Sequence, residues 1–389
     1  MLVEERTPFW QDPKKRSLVY QGVTLAIVGG VGYYLFKNTQ ANLTRQNIAS
    51  GFGFLSQEAG FDISESVIDY FSDESYGKAL KVGFLNTLKV SVVGNVFAVL
   101  LGGLVGILSI SSNWLVSRIS RGYVEMVRNV PLLLQLFFWY TLFSEIFPSV
   151  RQAYNPMPGV FVSNRGVVIP AFEAHPVWTW VLLTILGTVV VIIPLIFSWG
   201  KKQKEEFGIE RPTEWIMGAA LILLPLIVWM IGGMPTKFEV PSLQGFNFKG
   251  GFTLSPEYIS LLLGLVLYTG AFIAEIVRAG ILSVNKGQWE ASEALGLSGW
   301  RTLTLVIIPQ ALRVIIPPLT SQLLNLTKNS SLAVAIAYPD FVSVANTSLN
   351  QTGQAIEMVG LIMLVYLTFS LTTSFAMNWY NKKIKLTER

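Results

Sequence analysis

The stretch Glu290-Ala291-Ser292-Glu293-Ala294-Leu295-Gly296 is a short polar interruption between two apolar segments, and Val306-Ile307-Ile308-Pro309 lies a few residues after it. We predict a short helix, a sharp turn that glycine permits at Gly296, and a second helical turn that ends at Pro309. Ser298 stands where an N-cap residue is favoured. Such a segment can dock into a groove on a partner protein. From composition alone, an amphipathic helix lying at the membrane interface fits equally well.

The composition is typical of a polytopic membrane protein. Of the 389 residues, 51% are hydrophobic and 14% are charged, whereas soluble domains carry about 25% charged residues. Cysteine is absent, which excludes disulfides and thiolate metal sites. The net charge of +5 needs no nucleic acid to explain it, because basic residues collect at cytoplasmic membrane edges.

Apolar runs near the ~20 residues that a bilayer requires predict an all-α fold with about eight transmembrane helices. Residues 1–17 are polar, and the apolar stretch after them is interpreted as a retained first span rather than a signal peptide. Prolines and polar side chains interrupt the seventh run and predict a broken or irregular helix there, at Pro317, Pro318, Asn325, Lys328 and Asn329. The candidate spans are 18–36, 84–109, 130–147, 177–198, 215–232, 257–283, 314–338 and 355–380.

The distribution of lysine and arginine predicts the orientation. If the N-terminus lies inside, eighteen of the 29 basic residues fall on the inner side, eight on the outer side and three within spans. This asymmetry obeys the positive-inside rule. It predicts cytoplasmic N- and C-termini and places residues 284–313 in the cytoplasm, where an ATPase could contact them.

Several motifs of catalysis and cofactor binding are absent from the sequence. It has no Gly-x-x-x-x-Gly-Lys-Ser/Thr motif, so ATP is not expected to bind in the P-loop manner. The single histidine, His175, sits beside Pro176 and suggests neither a metal ligand nor a catalytic base. We therefore expect no catalytic residue, no metal and no cofactor in this chain.

The 290–309 segment resembles the coupling loop of type I ABC-importer permeases. Their pattern is Glu-Ala-Ala, three residues, Gly, nine residues and Ile-x-Leu-Pro. It appears here as Glu290-Ala291-Ser292, Gly296 and Val306-Ile307-Ile308-Pro309. The three departures, Ala to Ser, Ile to Val and Leu to Ile, conserve size or apolar character. In the family this loop joins the membrane subunit to a separate ATPase.

Other stretches are similar to the polar amino-acid permease family, over most of residues 50–385. These stretches are Gly287-Gln288-Trp289-Glu290, Ala294-Leu295-Gly296-Leu297-Ser298, Pro309-Gln310-Ala311-Leu312-Arg313, Pro317-Pro318-Leu319, Asn86-Thr87-Leu88, Tyr123-Val124-Glu125, Arg128-Asn129-Val130-Pro131-Leu132-Leu133-Leu134-Gln135, Lys328-Asn329-Ser330-Ser331-Leu332-Ala333 and Tyr338-Pro339-Asp340. Gly51-Phe52-Gly53-Phe54-Leu55 and Gly60-Phe61-Asp62-Ile63-Ser64 resemble the longer, general L-amino-acid subgroup.

The resemblance implies a permease domain over 51–389, with its core at 84–147 and 257–380 and an insert at 148–256. Residues 1–50 would be a peripheral span and the start of a periplasmic loop. It also implies an amino-acid importer in a bacterial inner membrane. Its partners would be a second, non-identical permease, two ATPase subunits that bind ATP and Mg, and a solute-binding protein. The coupling residues would be Glu290, Ala291, Ser292, Gly296 and Pro309.

Charged side chains inside spans require a partner or a function, because each costs about 2.5–3.5 kcal/mol on insertion scales. Glu275 and Arg278 are three residues apart and could pair on one helix face, or one of them could face a substrate cavity. Lys89 is expected to snorkel to an interface. The polar run 325–331 could supply donors to an amino acid or bond between helices. The candidate cavity residues are Gln135, Glu275, Asn325, Lys328, Asn329, Ser330 and Ser331.

The loops outside the spans differ in length. Residues 38–80 form the longest outer loop, either an amphipathic hairpin on the membrane surface or a landing surface for a binding protein. The 148–176 and 233–256 loops resemble ordinary connectors.

Two other functions are alternatives to the ABC permease. An ion-coupled secondary transporter usually shows inverted repeats, and none is visible in this sequence. A non-transporting scaffold would not need the 290–309 segment.

Overall fold

The computed structural model describes residues 13–45, 51–209 and 211–384, and it is mostly helical. The α-helices in these ranges are α1 (Pro13–Arg45), α2 (Tyr76–Leu108), α3 (Trp114–Asn129), α4 (Leu132–Thr141), α5 (Val177–Gly187), α6 (Ile193–Phe207), α7 (Thr213–Ile231), α8 (Pro256–Leu282), α9 (Lys286–Ala294), α10 (Gly299–Arg301), α11 (Ile308–Asn329), α12 (Phe341–Thr352) and α13 (Ala355–Ile384). Short 3₁₀ segments occupy Phe52–Ser56, Val150–Gln152 and Ser330–Ile336, and π-type turns occupy Leu142–Ile146, Thr188–Ile192 and Thr302–Ile307.

Within the described residues, six helical segments are long and apolar enough to cross a membrane, or up to seven with one bent pair. The bent pair joins α3 to α4 and its extension at an angle of 101°. The predicted span at 177–198 corresponds to α5, a π-type turn and α6, of which the apolar part Val177–Gly187 is short. The fold class is confirmed, and eight is an approximate count of the spans. The six segments are Lys15–Thr39, Tyr76–Leu108, Thr213–Ile231, Pro256–Leu282, Gly299–Ile336 and Ala355–Trp379.

The prediction of a broken or irregular helix is confirmed only in part: the helix is not broken at residues 317–329, and its geometry becomes irregular at Ser330. Helix α11 continues through Pro317 and Pro318 and changes to 3₁₀ geometry only at Ser330. Both prolines lie on the exposed face. Local adjustments of the backbone and contacts with neighbouring helices let membrane helices carry internal prolines.

Pro309 does not end a helix either. The π-type turn over Thr302–Ile307 shifts the register of the backbone hydrogen bonds, and α11 begins at Ile308. Pro309 therefore lies just after this π-type turn, inside a continuous helical segment. The result is one helical segment from Gly299 to Ile336.

The chain divides into two compact units. As far as they are described, the first comprises Met1–Asn95 and Ala279–Arg389, and the second comprises Val96–Arg278. The prediction of a permease core with an insert at 148–256 is a different division and stays a prediction.

In the first unit, residues 51–75 fold into a compact segment that we name the cap segment. Its two arms are joined by bonds from the Ala59 amide to the Glu74 carbonyl (2.8 Å) and from the Gly60 amide to the Ser72 carbonyl (2.9 Å). Phe54 packs in a buried cluster with side chains of α12 and α13. The buried apolar side chains of the cap segment therefore cover protein, and both interpretations of residues 38–80, a hairpin on the membrane surface and a landing surface for a binding protein, stay predictions. The cluster includes Phe54, Ala59, Tyr76, Leu80, Phe341, Val344, Ala345 and Met358.

In the second unit, the two predicted connectors pair with each other as short antiparallel strands. A four-stranded sheet has the order β1-β2-β3-β8, and its outer pairing aligns Val168 with Thr253. The interpretation of 148–176 and 233–256 as ordinary connectors is wrong, because strands of two to four residues are too short for a periodic signal. The strands are β1 (Tyr154–Met157), β2 (Val160–Ser163), β3 (Gly166–Ile169), β4 (Ala171–Phe172), β5 (Phe238–Glu239), β6 (Ser242–Gln244), β7 (Asn247–Lys249) and β8 (Phe252–Leu254).

Helices α2 and α8 approach closely within the second unit. A Cβ at Gly102 would lie 2.6 Å from the Ile273 side chain, and one at Gly106 would lie 2.7 Å from Val277. Small residues four positions apart are a common way to bring membrane helices together. This contact fixes the ends of α2 and α8 against each other.

Candidate functional site

We name residues 290–309 the coupling segment, after their predicted role. The segment begins within α9, a short helix with a defined start. The Asn285 side chain caps α9 by accepting a hydrogen bond from the Gly287 amide at 2.8 Å. Ser292 is buried on the inner face of α9, and its hydroxyl donates to the Gln288 carbonyl at 2.7 Å. The serine that replaces alanine in the family pattern therefore has a partner within its own helix.

Gly296 ends α9 in a Schellman arrangement. The Leu297 amide donates to the Ser292 carbonyl (3.1 Å), and the Gly296 amide donates to the Glu293 carbonyl (2.9 Å). Gly296 has a φ of +73°, a left-handed conformation that glycine adopts without a Cβ penalty. No atom lies within 4 Å of a Cβ built at Gly296. Glycine is therefore favoured at this position by the backbone conformation of the turn, as the sequence predicted, and not by lack of space for a side chain.

The outer surface of this segment mixes acidic and apolar side chains. Glu290 and Glu293 are exposed, Leu295 is 80% exposed and Trp300 is 67% exposed. Of the other predicted residues, Ala291 is exposed on α9, and Pro309 is exposed in the first turn of α11.

The coupling segment is tied to the start of α11. The Gln310 side-chain amide donates both to Gln288 Oε1 (3.1 Å) and to the Val306 carbonyl (3.0 Å). Ser298 stands at the N-cap position of α10 in an extended conformation, although its hydroxyl makes no capping bond. Helix α9 and the long segment that begins at Gly299 are therefore linked both by a turn and by a side-chain bond.

The polar run 325–331 has two parts: an exposed face, and a C-terminal end whose serine hydroxyls are hydrogen-bonded to carbonyls of the same helix. Asn325 and Lys328 are exposed on α11, three residues apart, and Asn329 is half-buried. Ser330 donates to the Thr327 carbonyl and Ser331 to the Lys328 carbonyl, both at 2.8 Å. The serine hydroxyls serve the end of their own helix, whereas Asn325 and Lys328 are directed away from the packed core of the first unit.

Ser321 extends the exposed face and was not among the predicted residues. It is exposed on α11 one helical turn before Asn325. The spacing of residues 321, 325 and 328 follows the helical repeat, which could have identified the face once the helix was known to be unbroken.

The backbone after the polar run is held from two sides. The Asn86 side-chain amide donates to the Pro339 carbonyl (2.9 Å) and to the Glu65 carbonyl of the cap segment (2.8 Å). The Phe341 amide donates to the Thr87 hydroxyl at 2.9 Å. The Asn86-Thr87 pair, noted in the sequence only as a family resemblance, thus fixes the turn between Ile336 and α12.

Asp340 is the buried acid of this turn. It is fully buried, caps α12 by accepting from the Ser343 amide (2.8 Å), and accepts from the Tyr366 hydroxyl (3.3 Å). Burial raises the pKa of the Asp340 carboxyl to about 7, although the hydrogen bonds oppose the shift.

Gln135 and Glu275 belong to the second unit, and each has a local partner. The Gln135 side-chain amide donates to the Val127 and Val130 carbonyls, both at 2.9 Å, and so stabilises the bend between α3 and α4. Glu275 accepts two bonds from Arg278, at 2.9 and 2.6 Å. The ion-pair interpretation of Glu275 is thus the one that the geometry supports.

These features define a polytopic membrane protein whose helix-turn-helix segment around Gly296 leads into a long, partly polar span. The profile of the family described as the binding-protein-dependent transport system inner membrane component matches residues 98–386. The chain belongs to this family, whose members are permease subunits of ABC transporters. It is accordingly an inner-membrane component.

Curated relatives match nearly the whole chain. AapQ, the permease protein of a general L-amino acid transport system in Rhizobium johnstonii, is 46% identical over 97% of this chain and 94% of its own length. YhdX of Escherichia coli, a putative amino-acid ABC transporter permease, is 47% identical over 97% of this chain and 96% of its own. A crystal structure of an amino acid ABC transporter with histidines has 20% identity and a TM-score of 0.45, and it covers 79% of this chain and 95% of the solved one.

Proposed function

We propose that this chain forms the translocation path of an ATP-driven amino-acid importer and couples to a separate ATPase through residues 290–309. The exposed helix-turn-helix at Gly296, tied to α11 by Gln288 and Gln310, is the observation that carries this proposal. In this proposal Glu290 and Glu293 pair with basic side chains of the ATPase, and Leu295 and Trp300 fill its groove.

The coupling segment can transmit a displacement because a long helix continues directly from it. Gly299–Ile336 is one helical segment of 38 residues, about 55 Å long at the usual helical rise. Closure of an ATPase dimer against α9 would move this segment as a unit, because a continuous helix resists compression along its axis. The exposed polar residues Ser321, Asn325 and Lys328 would then change the side of the membrane to which they are accessible.

The path itself is proposed to contain the exposed polar face of α11. Lys328 would bind the carboxylate of an amino acid, and Asn325 would supply hydrogen bonds. Ser330 and Ser331 have local partners, which supports a role in holding the end of the helix. The names of AapQ and YhdX support amino acids as the cargo class.

The assembly follows from the family. We expect a second, non-identical permease, two ATP-binding subunits that hold ATP and Mg, and a solute-binding protein, with no catalytic residue or cofactor in this chain. The charge asymmetry of the loops supports cytoplasmic N- and C-termini. The cap segment at residues 51–75 is proposed to form part of the surface that receives the binding protein.

Reconstituted transport tests this function. The tagged full-length chain would be purified with its associated subunits and reconstituted with ATP inside the vesicles and the binding protein outside. We expect accumulation of amino acids from a labelled panel only when ATP is hydrolysed, with ionophores having no effect. Uptake that is abolished by ionophores and persists without ATP would instead establish an ion-coupled transporter and refute the proposal.

A further inference from the structure

A polar cavity of about 320 Å³ lies within the second unit, apart from the coupling segment. It is bounded by the C-terminal end of α2, one face of α3 and the last turns of α8. Three arginines and two glutamates line it, which is an unusual concentration of charge for a span-forming region. The residues that matter are Ser109, Arg121, Glu125, Arg128, Glu275 and Arg278.

The charges of the cavity do not cancel. Arg278 and Glu275 form a two-bond ion pair, and Arg121 and Arg128 lie close enough to interact electrostatically with the same Glu275 carboxylate. Glu125 is the one further acid in the lining. In the described part of the chain, Arg121 uses only its Nε, which donates to the Ser109 carbonyl at 3.2 Å. Its terminal nitrogens therefore remain available as donors, and the lining carries a net charge of +1.

Arg128 is held in place without a carboxylate partner of its own among the residues that the structure describes. Its guanidinium lies over the Phe272 ring, with its central carbon 4.8 Å from the ring centroid. A cation over an aromatic face is oriented and partly desolvated. The N–H groups at the edge of the guanidinium can still donate hydrogen bonds. The cavity therefore offers planar guanidinium donors at fixed positions.

The cavity lies beside the C-terminal ends of three helices, α2, α3 and α8. Helix α2 ends at Leu108, α8 ends at Leu282, and α3 meets α4 at 101°. Ends of apolar helices mark the level at which the chain leaves the hydrocarbon layer, which is the level of lipid headgroups. Ile119 and Met126 are exposed on another face of α3, so the same helix also presents apolar surface suited to acyl chains.

We propose that this cavity binds the phosphate of an anionic phospholipid. Guanidinium forks match the geometry of phosphate oxygens, and basic pockets between membrane helices suit lipid headgroups. Glu125 makes the ligand more specific. A phosphodiester with one negative charge balances the net charge of the lining, whereas the second negative charge of hydrogen phosphate would be left uncompensated beside this carboxylate.

Lipid titration of the full-length permease tests the site. Purified, delipidated protein in detergent would be titrated with phosphatidylglycerol, phosphatidylcholine or inorganic phosphate, and bound lipid would be counted by native mass spectrometry. We expect saturable binding of phosphatidylglycerol, with Arg121→Gln weakening it about tenfold, the scale of one lost charge-assisted bond. Glu125→Gln is expected to tighten phosphatidylglycerol binding and to admit inorganic phosphate.

Arg118→Gln is the matched control. Arg118 is exposed on α3, less than one turn before Arg121, and does not line the cavity, so its loss changes the net charge equally but should leave the affinity within about twofold. The proposal is overturned if Arg118→Gln weakens binding as much as Arg121→Gln, or if phosphatidylcholine binds equally well. Competition by inorganic phosphate or by free glutamate against the native chain would also overturn it. Equal melting temperatures of the lipid-free variants would exclude misfolding as the cause.

Discussion

Lys89 on α2 lies 2.7 Å from the carboxylate of Glu65 in the cap segment. The two side chains are only 24% and 17% exposed, so their attraction is less screened than at an open surface. The lysine that we expected to reach an interface instead pairs with an acid that the chain itself supplies. The cap segment is thereby tied to a span through charge as well as through its apolar cluster.

A double-mutant cycle should detect this pair. Glu65→Gln and Lys89→Gln are each expected to destabilise the protein, and the coupling energy between them should be about 1–2 kcal/mol, measured by thermal unfolding in detergent. The exposed pair Lys201–Glu205, 3.5 Å apart and 65% exposed on both sides, is the control and should couple by at most about 0.5 kcal/mol. Equal coupling in the two pairs would contradict a special role for the buried one.

Gly296 is expected to be essential for coupling. Gly296→Asp should lower ATP-driven uptake by at least about tenfold, because a side chain at a φ of +73° strains the turn by roughly 1 kcal/mol and would project into the surface at which we propose that the ATPase docks. Gly299 is exposed at the start of α10 and has no positive φ, so Gly299→Asp should have a smaller effect. Full uptake by Gly296→Asp at normal expression would refute the docking role.

Local signals in the sequence were enough to predict the membrane class of the protein and the turn at Gly296. A glycine after a short helix and an N-cap residue two positions later are encoded within a few residues, and the structure has both at Gly296 and Ser298. The break expected at Pro317 and Pro318 is absent, because proline propensity in water does not account for compensation inside a membrane, whereas the irregular geometry expected in the polar run begins at Ser330.

Long-range pairings could not be predicted from the sequence. Ile169 aligns with Phe252 across 83 positions, and neither strand is long enough to show a periodic pattern. The bond between Asn86 and Pro339 likewise joins distant parts of the chain. The roles of the candidate path and coupling residues stay predictions, since geometry alone does not test transport.

Lys328 is expected to contribute to the substrate path. Lys328→Met should raise the KM for uptake about tenfold, the scale of a lost contact between an ammonium and a carboxylate, with little change in ATP hydrolysis. Ser331→Ala is the control, because its hydroxyl is bonded to the Lys328 carbonyl of the same helix end. If both variants transport with unchanged kinetics, this stretch serves packing only.

Asp340 should make the stability of the protein depend on pH. Its carboxyl has a pKa of about 7 in the folded state because of burial, against 3.8 ordinarily, so the folded state binds more protons than the unfolded state between these values. The free energy of unfolding should therefore fall as the pH rises from about 4 to 7, by on the order of 3 kcal/mol, and the loss should level off above pH 7. Asp340→Asn keeps an N-cap acceptor but cannot ionise, so it should flatten this slope in thermal unfolding measured across the pH range. An equal slope in Asp340→Asn would assign the pH dependence to other groups.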